Sequence, residues 1–213
     1  MMLSEEIALK LLQINAIRLN PQNPFTWASG LRSPVYCDNR LALSHPSVRD
    51  LIVDGFALQV KTYPAVDMIA GVATAGIAYG AMVAHSMKLP FAYVRSSAKT
   101  HGRQNLIEGQ VKKGAKVLVI EDLISTGGSS LTAVEALRES GCDVLAVLAI
   151  FQYNFTEAEE RFVKAGCTYK TLSDFLTLIR VARQYGHIRE PDIAFLTSWF
   201  NDPKAWQANA IPN

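Results

Sequence analysis

A chain of 213 residues with 49% hydrophobic and 19% charged positions suits one well-buried globular domain. Its net charge of +2, without a long basic run, does not suggest a nucleic-acid surface. No apolar run reaches the roughly 18 residues of a membrane span. Glu5, Glu6, Lys10 and Arg18 interrupt the region where a secretory signal would need an apolar stretch. Cys37, Cys142 and Cys167 are far apart and odd in number, and no C-x-x-C occurs. They indicate neither a zinc site nor a disulfide framework, and read as buried small hydrophobes in a reducing cytoplasm.

In chain order, Ser4 is placed to cap a first amphipathic helix with Ile7, Leu11 and Leu12 on one face. Residues 25–40 read as extended and turn-rich, with Gly30 and Pro34 as punctuation. Pro46 suits the first turn of a helix reaching toward Lys61. A short apolar strand over 66–70 leads to the glycine-bearing loop 71–76, and a helix follows to about Met87. Residues 91–94 are a second strand, 95–109 a polar segment, and 116–120 a third strand. The helical pattern of Leu131, Val134 and Leu137 ends before Gly141, which reads as a C-terminal cap. A buried strand over 144–151 and a helix over 157–165 come next. The last fifth alternates helical patterns, with Pro191 and Pro203 as breakers. Strands alternating with helices imply an α/β fold with a mostly parallel sheet, in which ligands lie at the carboxyl ends of the strands.

The most telling stretch is 117–130. Val117, Leu118, Val119 and Ile120 run into the adjacent acids Glu121 and Asp122. Leu123 and Ile124 then lead to Ser125, Thr126, Gly127, Gly128 and Ser129. The apolar run reads as a central parallel strand covered on both faces. The hydroxyls and backbone N–H groups after it can surround one anion, the glycines allow close approach, and a helix beginning near Gly128 adds a positive N-terminus. Two acids alone are commonly a solvated strand end. Behind a buried strand and ahead of such a loop, they are placed to meet sugar hydroxyls while the loop holds a terminal phosphate. Other phosphate signatures are excluded. Gly71 and Gly76 have the Walker spacing, but Ile77 and Ala78 stand where lysine and a hydroxyl belong, and no G-x-G-x-x-G occurs.

Arg95, Lys99, His101 and Arg103 place four potential cations within nine residues of a segment nearly devoid of apolar side chains. Such a segment packs poorly into a core and reads as a mobile lid-type loop. Beside a phosphoribose site, its charge would serve a departing pyrophosphate. His45, His85 and His187 lack such company and read as helix-end or surface residues.

Residues 117–130 resemble the phosphoribosyl pyrophosphate motif of type I phosphoribosyltransferases. Three further stretches narrow the resemblance to the orotate-specific branch: 25–40, with Phe25, Gly30, Ser33, Pro34 and Tyr36; Gly71 to Gly76; and 93–109, ending Ile107, Glu108, Gly109. The resemblance implies a type I phosphoribosyltransferase-like fold: a mostly parallel central sheet flanked by helices, with a small N-terminal hood. Residues 1–213 would form one domain, about 1–40 and parts of the C-terminal region giving the hood. It implies Mg2+-dependent transfer of phosphoribose from phosphoribosyl pyrophosphate to N1 of orotate, a step of pyrimidine biosynthesis. Carried over by position, Arg95, Lys99, His101, Glu121, Asp122, Leu123, Ile124, Ser125, Thr126, Gly127, Gly128 and Ser129 would bind the donor. Glu121 and Asp122 would meet the ribose hydroxyls, residues 125–129 the 5-phosphate, and Arg95, Lys99 and His101 the pyrophosphate, which the loop from Gly71 to Gly76 on the same rim would also meet. Ser125 would also lie near orotate. Lys99, His101 and Asp122 would be catalytic, and Mg2+ would be held mainly by substrate oxygens, with no protein ligand assigned. The resemblance further implies a cytoplasmic homodimer in which the 95–105 loop closes over the neighbouring subunit's site, with neither nucleic acid nor membrane as partner.

Ala28, Ala75 and Ser96 stand where some relatives carry lysines, so these positions receive no role and Lys99 becomes the main loop cation. Two other readings stay open at this point. One is a phosphoribosyltransferase for another base. The other is a non-catalytic regulator that senses phosphoribosyl pyrophosphate.

Overall fold

The computed structural model of the protein describes residues 1–27, 30–97, 106–203 and 205–206. The chain divides into two compact units, residues 1–48 with 173–213, and residues 49–172.

The first unit opens with α1 (Leu3–Gln13), which buries Ile7, Ala8, Leu11 and Leu12 along one face. Its start differs from the expected Ser4 cap. The helix begins at Leu3, Ser4 lies within the first turn, and the Glu5 carboxylate accepts the Met2 N–H at 2.9 Å. Four short strands follow: β1 (Ile17–Leu19), β2 (Phe25–Thr26), β3 (Arg32–Ser33) and β4 (Val35–Cys37). β1 pairs antiparallel with β4, and β2 with β3, so the turn-rich segment is two small antiparallel ribbons. Arg18 covers the rings of Phe25 and Tyr36 at 5.1 and 4.8 Å. A 3-10 helix (Asn39–Ser44) is capped by Asp38, whose carboxylate accepts the Arg40 N–H.

α2 (Pro46–Val60) starts at the proline as expected and leads into the second unit. There the order is β5 (Met68–Val72), α3 (Ala75–Met87), β6 (Phe91–Val94), β7 (Ile107–Glu108), β8 (Lys116–Ile124), α4 (Gly128–Glu139), β9 (Asp143–Gln152), α5 (Thr156–Lys164) and β10 (Tyr169–Asp174). Among the described residues these strands form a six-stranded sheet in the order β10-β9-β8-β5-β6-β7. β6, β5, β8 and β9 are parallel neighbours, and β7 returns antiparallel to β6. Val117, Leu118, Val119 and Ile120 are fully buried, as a strand covered on both faces requires. Val134 and Leu137 of α4 and Phe162 of α5 belong to the same core cluster as Val117, Val119 and Val147 of the sheet. Gly141, at φ +85°, ends α4 as expected.

Back in the first unit, α6 (Phe175–Gln184) is capped by Asp174, which accepts the Thr177 N–H at 2.8 Å. α6 packs on α1, where Arg180 pairs with Glu5 and the Ser173 hydroxyl donates to the Ser4 carbonyl at 2.8 Å. In α7 (Glu190–Asn201), Pro191 sits in the first turn and starts the helix rather than breaking it. Trp199 is fully buried against Trp27 and Phe175.

The cysteines correct one expectation. Cys142 and Cys167 are buried, and burial pushes their thiols upward in pKa, but Cys37 is only half-buried and donates to Asn39 Oδ1 at 3.4 Å.

Candidate active site

Three loops of the second unit leave one rim of the sheet. Val72 pairs with Val94 and Gly71 with Ile120 in parallel register, so the chain exits β5, β6 and β8 on the same side. The Ala73 N–H donates to the Val94 carbonyl at 2.8 Å, which ties the first of these loops to the second strand. The Arg95 N–H donates to the Leu106 carbonyl at 2.9 Å and closes the base of the polar segment. That segment therefore grows out of the β6–β7 hairpin. Ligands of open parallel sheets lie on this rim.

β8 runs farther than the apolar pattern suggests, through both acids to Ile124. Its partner β9 is one residue longer and pairs Glu121 with Ala149, Leu123 with Phe151, and Ile124 with Gln152. Continued ladder bonds hold the acids at the end of the strand and leave Ser125, Thr126 and Gly127 as the loop before α4. Ile124 is 1% exposed and lies in the core, so only its backbone can meet a ligand. Leu123, Ser125, Thr126 and Gly128 are half-buried, and Ser129 is exposed.

The two acids are not equivalent. Asp122 is half-buried at the rim, while Glu121 is 3% exposed. Glu121 Oε1 accepts the Asp122 N–H at 3.0 Å, and Oε2 accepts the hydroxyls of Ser129 at 2.9 Å and Ser130 at 3.1 Å. Burial, with the Asp122 carboxylate beside it, pushes the Glu121 carboxyl up to about 8. Glu121 thus ties the end of β8 to the first turn of α4 and closes the loop into a ring.

The glycines divide into two groups. A Cβ on Gly76 would lie 2.4 Å from the Ile120 carbonyl oxygen, and one on Gly71 would lie 2.7 Å from the Gly76 oxygen. Their spacing serves the close approach of α3 to β5 and β8. Gly127 has φ +77°, and a Cβ there would lie 2.7 Å from the Phe162 ring. At Gly128 the nearest atoms, both of Arg161, are 3.7 Å or more from such a Cβ, so this position is open.

Arg95 stands at the head of the polar segment with its guanidinium 3.6 Å from Glu108. Ser96 is exposed, and Ala75 is the first residue of α3. Lys99, His101, Arg103 and Ala28 lie outside the described residues. Among the described residues, no group of three or more His, Cys, Asp or Glu side chains could hold a metal ion. One contact of the loop has no signal in the local sequence. Arg161 of α5, 35 residues downstream, donates from Nη1 to the Thr126 carbonyl at 3.2 Å.

A parallel strand with two acids near its end, a short Ser-Thr-Gly turn and a helix start are the features expected of a phosphoribosyltransferase. The family described as the phosphoribosyl transferase domain matches residues 51–185. An orotate phosphoribosyltransferase of Cytophaga hutchinsonii is 52% identical over 96% of this chain and 98% of its own. The solved orotate phosphoribosyltransferase of Aeropyrum pernix is 29% identical with a TM-score of 0.73, covering 86% of this chain and 99% of that one. A UMP synthase of Leishmania donovani aligns with a TM-score of 0.80 at 27% identity, over 93% of this chain but 42% of that longer one. The chain belongs to the orotate phosphoribosyltransferase family, and its fold is that of the type I enzymes.

Proposed function

We infer that the protein transfers phosphoribose from phosphoribosyl pyrophosphate to N1 of orotate, giving orotidine 5′-monophosphate and pyrophosphate. The observation that carries this reading is β8 delivering Glu121 and Asp122 into the 125–129 turn at the start of α4, in a chain of this family. Backbone N–H groups at a helix start suit the 5-phosphate. Asp122, half-buried at the rim, is placed for the ribose hydroxyls, and Glu121 reaches them as well when it exchanges its Ser129 bond for a sugar hydroxyl. Ser125, next along the loop, borders the base.

In the reaction the bond from C1′ to pyrophosphate breaks, the leaving group takes the electron pair, and N1 of orotate bonds to C1′ as its proton passes to solvent or to an oxygen of the leaving pyrophosphate. Charge builds on the leaving pyrophosphate. Arg95 enters the rim beside the loop that follows β5, and Lys99 and His101 would follow it on the polar segment. Their positive charge counts most as the bond breaks, and a closed segment keeps out water that would hydrolyse the sugar. The site offers oxygen donors suited to Mg2+, with Asp122 the acidic group at the rim. Substrate oxygens would supply most of the ligands. Bound there, Mg2+ would neutralise phosphate charge.

The first compact unit serves as the hood of one phosphoribosyltransferase domain, and the working form is a cytoplasmic homodimer in which the polar segment serves the neighbouring subunit. The buried thiols of Cys142 and Cys167 suit a reducing compartment. Loss of orotate absorbance on adding phosphoribosyl pyrophosphate and Mg2+ to folded protein tests the reaction. No change would overturn it, and a panel of other bases would show whether orotate is the acceptor.

A further inference from the structure

We propose that Arg161 is a positioning residue for the 5-phosphate loop, and that α5 forms the outer wall against which this loop is shaped. The inference rests on the phosphoribose reading of the 125–129 turn and goes beyond it, because Arg161 belongs to a different helix.

Two adjacent α5 residues meet the loop. Arg161 Nη1 donates to the Thr126 carbonyl at 3.2 Å, and the Phe162 ring edge fills the space where Gly127 would carry a side chain, 2.7 Å from that Cβ position. The Thr126–Gly127 peptide is trans, so its C=O and N–H point in opposite directions. Holding the Thr126 oxygen toward α5 therefore turns the Gly127 N–H to the other side of the loop, where an anion would sit at the start of α4. Phe162 is 1% exposed and part of the core, so it gives the wall a fixed position. The guanidinium also passes beside Gly128, with Nη1 and Nη2 3.7 and 3.8 Å from its Cβ position. It thus adds a positive charge along the open side of the turn. Glu157, 3.9 Å from Nη1, and a side-chain exposure of 46% both moderate that charge. The role is to orient a donor, with electrostatics secondary.

The experiment compares Arg161→Ala and Arg161→Lys with the parent in the intact enzyme. Arg161→Ala is expected to raise KM for phosphoribosyl pyrophosphate about three- to tenfold and to weaken competition by ribose 5-phosphate equally. kcat, KM for orotate and competition by pyrophosphate should stay within about twofold, because the loop grips the donor alike in ground and transition states. Arg161→Lys keeps a donor and the charge and should restore most of the loss. A general folding defect would move pyrophosphate competition and orotate KM as well. Unchanged ribose 5-phosphate competition in Arg161→Ala, equal losses for pyrophosphate, or a lysine variant as impaired as the alanine one would overturn the proposal. Calorimetric binding of ribose 5-phosphate needs no turnover. A parent that consumes no orotate would sink the reaction assigned above, while weaker ribose 5-phosphate binding by Arg161→Ala would still support Arg161 and equal binding would still refute it.

Discussion

Ser130 donates its hydroxyl to Glu121 at 3.1 Å across nine positions of the chain, next to the 2.9 Å bond from Ser129. This pairing makes the shape of the loop depend on a carboxyl group that solvent hardly reaches. Removing water from the carboxylate favours its neutral form, and so does the negative charge of Asp122 nearby.

A pH dependence with a defined sign follows. The Glu121 carboxyl titrates near 4.5 in an unfolded chain and near 8 in the folded one, so between those values folding retains a proton. Its contribution to stability is complete below the unfolded value and is lost as pH rises through the folded one. Glu121→Gln abolishes this titration while keeping a polar group of similar shape. The melting temperature of the variant relative to the parent should therefore rise between about pH 5 and pH 8.5. A difference that stays constant over that range would refute the buried, proton-retaining Glu121.

The glycines give a second prediction, in which packing and ligand access separate. Gly76→Ala drives a methyl group into the Ile120 carbonyl, a backbone atom at the centre of the sheet. It should cost about 3 kcal/mol or more, read as a lowered denaturation midpoint or loss of soluble protein. Gly128→Ala meets nothing closer than 3.7 Å and should leave stability within about 1 kcal/mol of the parent. If Gly128 faces the 5-phosphate, the same substitution still raises KM for phosphoribosyl pyrophosphate. A stable Gly76→Ala variant would contradict the close approach of α3 to β8.

Where signals are local, the chain is readable without coordinates. Val117 to Ile120, the two acids and the glycine-bearing turn lie within one stretch, and β8 and α4 both start where that pattern places them, although β8 continues past Ile120 to Ile124. β10 escapes because only Leu172 and Ser173 of its six residues are buried, and its polar Tyr-Lys-Thr start lacks an apolar run. β1 and β4 escape because pairing Ile17 with Cys37 depends on a contact that three-residue strands do not announce. The same limit applies to the site. That acids precede a phosphate-sized turn is legible, but the inward bonds of Glu121 depend on Ser129 and Ser130 folding back over the strand. The support of Thr126 by Arg161 comes from a helix beyond the next strand.

Lys99 is expected to act mainly on the departing group. Lys99→Ala should lower kcat about a hundredfold while KM for phosphoribosyl pyrophosphate changes much less, since the charge it would neutralise is largest as the bond to pyrophosphate breaks. Steady-state kinetics with both substrates varied decides the point. Equal kcat for variant and parent would remove Lys99 from the reaction.

Whether the polar segment serves its own subunit or the neighbour can be read from mixed dimers. In the proposed homodimer, Asp122 would belong to the subunit that binds the sugar and Lys99 to the loop of the other one. Asp122→Asn and Lys99→Ala should each be nearly inactive as homodimers. Co-expressed, they would form hybrids in which one site carries both defects and the other carries none. With random pairing about a quarter of the parental activity should return, because half of the dimers are hybrids and each has one intact site. If the loop closed over its own subunit, both hybrid sites would contain one defect and no activity would return. The outcome bears on sharing alone, since each variant is first assayed by itself.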